Sequence, residues 1–214
     1  MSRSSPLLVL GTTPFATEIA DVATDAGFEV VGYVENLDRA RCASELDGRP
    51  VHWIDDCQPL VATHVAVCGL GTTRRSVFTE QAAGLGLRFA TILHPTAHVS
   101  RTSTVAEGSI VGVNVVVAAH ATIGRHVLLN RGSMIGHHTQ IGDYVSVLPG
   151  ANIAGACVVG RAAYIAMGSV VIDRITIGEE SVVAAGAVVV EDVPANVQVV
   201  GVPARIVRRE VHGR

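Results

Sequence analysis

Four histidines in the middle of the chain, His120, His126, His137 and His138, are the residues with chemistry to offer. Imidazole takes up and returns a proton near neutral pH, and it is also a common metal donor. One such group is enough for acyl transfer. An amine or hydroxyl attacking a thioester must lose a proton, a histidine can take it, and backbone N–H groups can hold the oxyanion. No covalent enzyme intermediate is needed. The spacing offers a second chemistry. His120 and His138 lie 18 residues apart, and with His126 and His137 they could make a set of metal ligands.

The element that positions these histidines announces itself by period. An aliphatic residue falls at every sixth position from Val105 through Val111, Val117 and Ile123 to Val189, without a miss. Glycine often follows, as in Ile135-Gly136 and Ile141-Gly142, and the fifth position of the hexad is small or β-branched, as at Ser109, Ala121, Ser133, Thr139 and Ala151. A period of six fits neither a helix face nor an ordinary strand, so it is a repeat. Each hexad makes one short strand and one corner, and three close a coil of 18 residues, which puts His138 above His120. The reading is a parallel β-helix of hexapeptide repeats, its coils stacked at about 4.7–4.9 Å. Val113, Val115, Val116 and Ala118 are expected on the outside. A lone solenoid would leave them wet, which predicts a homotrimer.

The repeat does not reach the first ninety residues. Leu7–Gly11, Phe28–Val34, His64–Gly69 and Arg88–Leu93 read as strands, and Phe15–Ala26 and Arg74–Ala83 as helices. That alternation predicts a small doubly wound, Rossmann-like α/β domain over residues 1–93. His94-Pro95 marks the boundary, the β-helix fills 94–200, and 201–214 form a tail. Ligands of such a sheet bind beyond the carboxyl ends of its strands. Three loops lie there: Gly11-Thr12-Thr13-Pro14, Glu35-Asn36 and Gly69 to Arg74. The first is not G-x-G-x-x-G, which argues against a dinucleotide. A nucleotide-type ligand and a plain packing domain both fit.

Composition narrows the classes. Aromatics are 4% of the chain against 49% hydrophobic residues, which suits a narrow solenoid interior. The net charge of −3 argues against a nucleic-acid partner. No apolar run is long enough to span a membrane, and Met1–Pro6 do not read as a signal peptide. Cys42, Cys57, Cys68 and Cys157 lack metal or redox spacing and read as reduced thiols of a cytoplasmic protein.

From Leu7 to Arg208 the chain resembles the bacterial sugar acetyltransferases, the group of sialic acid O-acetyltransferases and N-acetyltransferases of nucleotide-linked 4-amino sugars. Ile92-Leu93-His94-Pro95-Thr96-Ala97, Leu129–His137, Ile141–Val145, Pro149–Gly155 and the closing Gly201-Val202-Pro203-Ala204-Arg205 carry the resemblance. It implies a left-handed β-helix, a homotrimer, acetyl-CoA in the groove between neighbouring subunits, and a sugar or sugar nucleotide held by the N-terminal domain; no metal is expected. It further implies His137 as general base, with His138 at the position that orients it. Gly11, Glu35, Asn36, Gly69, Arg74 and Asn130 fall at substrate positions, and Gly155, Met167 and Ala185 line the CoA arm.

Two departures stand out. The family has an acidic residue where this chain has His138, and an imidazole cannot stabilise a forming imidazolium as a carboxylate does. Asp143 is the nearest substitute in sequence. The first loop, Thr12-Thr13-Pro14, lacks the family's glycines and histidine, which leaves open whether the acceptor is nucleotide-linked, and amine and hydroxyl acceptors need the same base, so both stay open. Two other readings remain: a zinc-dependent carbonic anhydrase of the left-handed β-helix type, and a non-catalytic trimeric scaffold.

Overall fold

The computed structural model describes residues 5–214. Met1–Ser4, the start of the expected non-signal lead, lie outside the described residues. The chain divides into two compact units, one of residues up to Gly71 with Arg75–His94, the other of Thr72–Arg74 with Pro95–Arg214.

The first unit is built on a parallel sheet. Its strands are β1 (Leu7–Leu10), β2 (Val30–Glu35), β3 (Val51–Trp53), β4 (Val65–Cys68) and β5 (Arg88–Phe89), in the order β3-β2-β1-β4-β5. β1 is central and wholly buried, which is why it reads as an unbroken apolar run. The order reverses between β1 and β4, the kind of crevice where ligands of open sheets sit. Helix α1 (Pro14–Asp25) follows β1, and α2 (Ser76–Gly84) follows β4. Pro14 takes the first helical position, where its missing N–H costs nothing and its fixed φ suits the turn. The unusual Thr12-Thr13-Pro14 loop is therefore a helix start. β3 was not expected. Three residues are too few to show a period, and Gly48-Arg49-Pro50 before them reads as a turn. The expected last strand also breaks in two, since Ala90-Thr91 separates Arg88–Phe89 from Ile92–Leu93.

In the second unit every hexad from His98 to Val189 makes a two-residue strand. Three parallel ladders result, each pairing residues 18 apart: Val117, Ile135, Ile153, Val171 and Val189 in the first wall, Ile123, Ile141 and Val159 in the second, Leu129, Val147 and Ile165 in the third. This stack is consistent with the expected left-handed β-helix. The aliphatic columns form its core. The small position stitches the coils. Ser109 Oγ donates to Gly124 O at 2.7 Å and accepts from Val127 N at 3.0 Å; Thr139 Oγ1 does the same with Ala154 O and Cys157 N. A buried hydroxyl that both donates and accepts escapes the cost of an unpaired polar group. Val115 also occupies this inner position and is fully buried, so it belongs to the core and not to the outer surface. Val116, with Met134 and Val170 in the same wall, does stand outside.

The last coil is two residues short, pairing Val182 with Gln198, and the helix ends there. The tail is not featureless. Arg205–Arg209 returns antiparallel to Val197–Val200, and His212 reaches Glu180 at 3.0 Å. The four cysteines are free, and burial pushes the thiols of Cys57 and Cys68 up to about 11, which leaves them inert. No helix among the described residues is long and apolar enough to cross a membrane.

Candidate active site

Each coil turns three corners of two residues each, and from Glu107-Gly108 onward the second is in the left-handed region. Residues 18 apart stack along one corner, so the sequence sorts into three columns. Between the first and second walls lies a histidine corner, with Ala119-His120, His137-His138 and Gly155-Ala156 on successive coils. Between the second and third lies a charged corner, where Glu107, Arg125, Asp143, Arg161 and Glu179 alternate in sign. The remaining corner carries Arg131-Gly132, Pro149-Gly150, Met167-Gly168 and Ala185-Gly186.

His137 and His138 are exposed, and their Nδ1 atoms lie 3.1 Å apart. Their rings meet edge to face, with centroids at 5.2 Å. The ring of His138 packs on that of His120 at 4.8 Å, tilted by 40°. On its other side His137 lies against Gly155, one coil on. A Cβ at Gly155 would stand 2.6 Å from His137 Cε1 and 2.7 Å from its Nε2. Gly155 was expected to line CoA; here its lack of a side chain makes room for the imidazole.

Asp143 does not approach this pair. It sits on the charged corner, where its carboxylate takes Arg125 Nη2 at 3.1 Å and Arg125 N at 2.8 Å. That contact holds the Arg125 guanidinium above its ordinary range. His126 is on the charged corner too, stacked on Tyr144 at 5.2 Å. The four histidines thus split over two corners, and among the described residues no three metal-donor side chains could hold an ion. The zinc-site arrangement considered from sequence does not assemble within the chain.

Asn130 precedes the third corner. It is 7% exposed, and its Oδ1 accepts from Arg131 N at 2.7 Å. Met167 and Ala185 stack at that same corner, with Met167 56% exposed. The expected CoA-lining residues therefore occupy two different edges of one chain.

In the first unit Gly11, Glu35 and Asn36 line one cavity of about 100 Å³ at the ends of β1 and β2. A larger one of about 340 Å³ is lined by Thr12, Thr13, Pro14, Arg41, Leu46 and Val51, among others. Glu35 is almost fully committed to its own loop. Oε1 accepts from the N–H groups of Asn36 at 2.9 Å and Leu37 at 2.7 Å, and Oε2 accepts from the Thr12 hydroxyl. Burial pushes its carboxyl up, but these hydrogen bonds outweigh burial and hold it below the usual carboxylate range. Asn36 Nδ2 donates to Gln81 at 3.0 Å. Gly69 lines neither cavity. A Cβ there would stand 2.8 Å from Val9 Cγ1 and 2.9 Å from Ala16 Cα, so it is a packing glycine between β1 and α1. Arg74 is exposed, on the short segment that groups with the second unit.

Sequence reasoning missed Arg41. It lines both cavities, and its Nη1 donates to Thr12 Oγ1 at 2.9 Å and lies 3.6 Å from Glu35. It stands on a 3-10 turn, Arg39–Ala43, that carries no motif. Its place three residues after Asp38, which caps the turn through Ala40 N, was the only available signal.

The repeat and the structures similar to this chain point to an acyltransferase of the hexapeptide-repeat type. The family described as bacterial transferase hexapeptide (six repeats) matches residues 120–155. Within that class the resemblance runs to the bacterial sugar acetyltransferases over nearly the whole chain. Perosamine N-acetyltransferase from Caulobacter crescentus, solved with CoA and GDP-perosamine as a mutant with one histidine replaced by asparagine, superposes with a TM-score of 0.89. It is 27% identical, over 96% of this chain and 98% of that one. The acetyltransferase domain of PglB from Neisseria gonorrhoeae FA1090, solved with acetyl coenzyme A, gives 0.85 at 26% identity, over 95% of this chain and 99% of that one. WeeI from Acinetobacter baumannii AYE shares the fold, with a TM-score of 0.71 at 23% identity over 94% and 99%. No curated protein matches the sequence significantly.

Proposed function

We propose that this protein is a homotrimeric, acetyl-CoA-dependent acetyltransferase acting on an amino or hydroxyl group of a nucleotide-linked sugar. The observation that carries the reading is the distribution over corners. His137 and Gly155 stand on one edge of the helix, and Asn130, Met167 and Ala185 on another. One groove can use both sets only if the histidine corner of one subunit faces the third corner of its neighbour. The exposed apolar residues Val116, Met134 and Val170 on the intervening wall support such packing. The solved relatives with CoA, acetyl coenzyme A and GDP-perosamine support the cofactor and acceptor classes. In this reading the helix is left-handed and the first unit is a Rossmann-like holder of the nucleotide. Its two cavities offer Gly11, Asn36 and the cationic Arg41 to base, ribose and phosphate, while Glu35 shapes the loop.

The reaction is direct attack. The acceptor nitrogen or oxygen adds to the thioester carbonyl while His137 Nε2 takes its proton. The tetrahedral oxyanion collapses, the C–S bond breaks, and the proton on His137 passes to the departing CoA thiolate. A thermal-shift panel of acyl-CoAs and sugar nucleotides, followed by mass detection of acylated product, tests the reading. Acetyl-CoA at a hundredfold excess over its Kd should stabilise the protein by about 2.7 kcal/mol. A monomer by light scattering, or no shift with any acyl-CoA, would overturn it.

A further inference from the structure

We propose that His138, braced by the ring of His120 one coil below, fixes the tautomer in which His137 keeps its proton on Nδ1 and a free lone pair on Nε2. The observation is the 3.1 Å separation of the two Nδ1 atoms. Two ring nitrogens approach that closely only with one proton between them. Either His137 donates and His138 accepts, or the reverse. In the first arrangement Nε2 of His137 is the basic nitrogen. In the second Nε2 carries the proton and the residue is no base there.

The proton transfer itself decides between them. Once His137 has taken the acceptor's proton, both its nitrogens carry hydrogen, and its Nδ1 must donate. The neighbouring Nδ1 of His138 is the group in place to accept. The first arrangement therefore keeps its hydrogen bond through the reaction, and the second must break and rebuild it. A site organised in advance avoids that cost. His138 thus fills by geometry the orienting role that a carboxylate fills by charge. It differs in one respect: a carboxylate can only accept, whereas an imidazole accepts only if its own proton sits on the far nitrogen.

The bracing is built by the repeat. His120 and His138 are equivalent corner residues, both with φ near +59°, so their side chains leave the backbone in the same direction and their rings pack at 4.8 Å. Gly155 closes the opposite side of His137. The reacting imidazole is bounded on both sides by residues of its own column. His138 and His120 are accordingly positioning residues.

The consequence for turnover rests on the acetyltransferase reading, but the tautomer is read without it. Two-bond ¹⁵N–¹H correlation spectra of the intact protein, with no ligand added, report which nitrogen of His137 is protonated. In the wild type we expect Nδ1–H with an unprotonated Nε2. In His138→Leu we expect the proton to move to Nε2, and in His138→Asp to return to Nδ1. His120→Ala, which leaves the Nδ1 contact but removes its brace, should give a mixture. Turnover should follow: His138→Leu lowers kcat by about 10–100-fold at unchanged KM for acetyl-CoA, less than loss of the base itself, and His138→Asp restores it. A wild-type His137 protonated on Nε2, or a tautomer indifferent to His138→Leu, overturns the proposal. The expected spectra without acetyl transfer to any acceptor would leave the tautomer assignment standing and sink the enzymatic reading instead.

Discussion

The two units treat their polar residues in opposite ways. At the carboxyl ends of β1 and β2 the fold consumes them. Glu35 spends its oxygens on Thr12 and the N–H groups of Asn36 and Leu37, because an irregular loop leaves backbone donors that something must satisfy. At the β-helix corners the backbone is satisfied by the neighbouring coils: His138 N donates to Ala119 O on the coil before it, and Ala156 N to His137 O. At the histidine corner this leaves the side chains of His137 and His138 to meet each other, whereas at the charged corner Asp143 still spends an oxygen on Arg125 N. A polar residue in a sheet-end loop is therefore weak grounds for a ligand contact, whereas a corner residue such as His137, whose backbone the neighbouring coils satisfy, is stronger grounds.

The sharpest break in that comparison would come from His137. His137→Asn should lower turnover by about 10²–10⁴ while thermal unfolding and acetyl-CoA affinity stay put. Wild-type turnover on the true acceptor would end its assignment as the base. Gly155→Ala comes next. The imidazole can swing away from the new methyl, so stability should hold, but a displacement of about 1 Å can cost up to about 10²-fold in rate. Full activity with an unmoved melting point would show that Gly155 does not position the ring.

For Glu35 the expectation is reversed. Glu35→Gln should destabilise the first unit by about 1–3 kcal/mol, the range for a disrupted buried hydrogen-bond acceptor, as followed by hydrogen exchange in residues 5–71. The sign in pH is fixed by the direction of its shift. A carboxyl held below its unfolded value stabilises the fold above about pH 4.3, and the contribution is lost as pH falls through the lower folded value. The wild type should lose protection in the first unit over that acid range, and the variant should show a flatter profile. Asp143→Asn carries the smallest effect. An exposed pair with Arg125 contributes up to about 1 kcal/mol, and turnover should be unchanged. A fall in kcat would mean that the charged corner serves catalysis after all.

How much of this could be read in advance follows the same division. The hexad rule places every strand from Val105 to Val189, and the 18-residue interval puts His120 under His138 before any coordinate is known. The rule also carries its own error. Val115 is apolar like Val116, and only the inner role of the fifth position tells them apart. Proximity along the chain misleads at corners. Asp143 and Asn130 are near His137 in sequence, yet each belongs to a different edge, because one hexad is a third of a turn. In the first unit the long apolar runs and Pro14 were legible. The three-residue β3 and the approach of Arg41 to Thr12 were not, since both arise from how a loop folds back and not from any period.

The short final coil shows that residue number here works as an address. Its remainder modulo six names the role within a hexad, and its remainder modulo eighteen names the edge. Excising one hexad upstream of His137 would carry the histidine to another edge while leaving every aliphatic residue facing inward. Excising three would remove a storey and leave every later address intact. The chain gives up two residues between Val189, still 18 from its partner Val171, and Val193, which pairs with Ile177, beyond the last place where an address matters. Length changes in this protein are thus quantised, and a lesion that spares the core can still misdeliver the base.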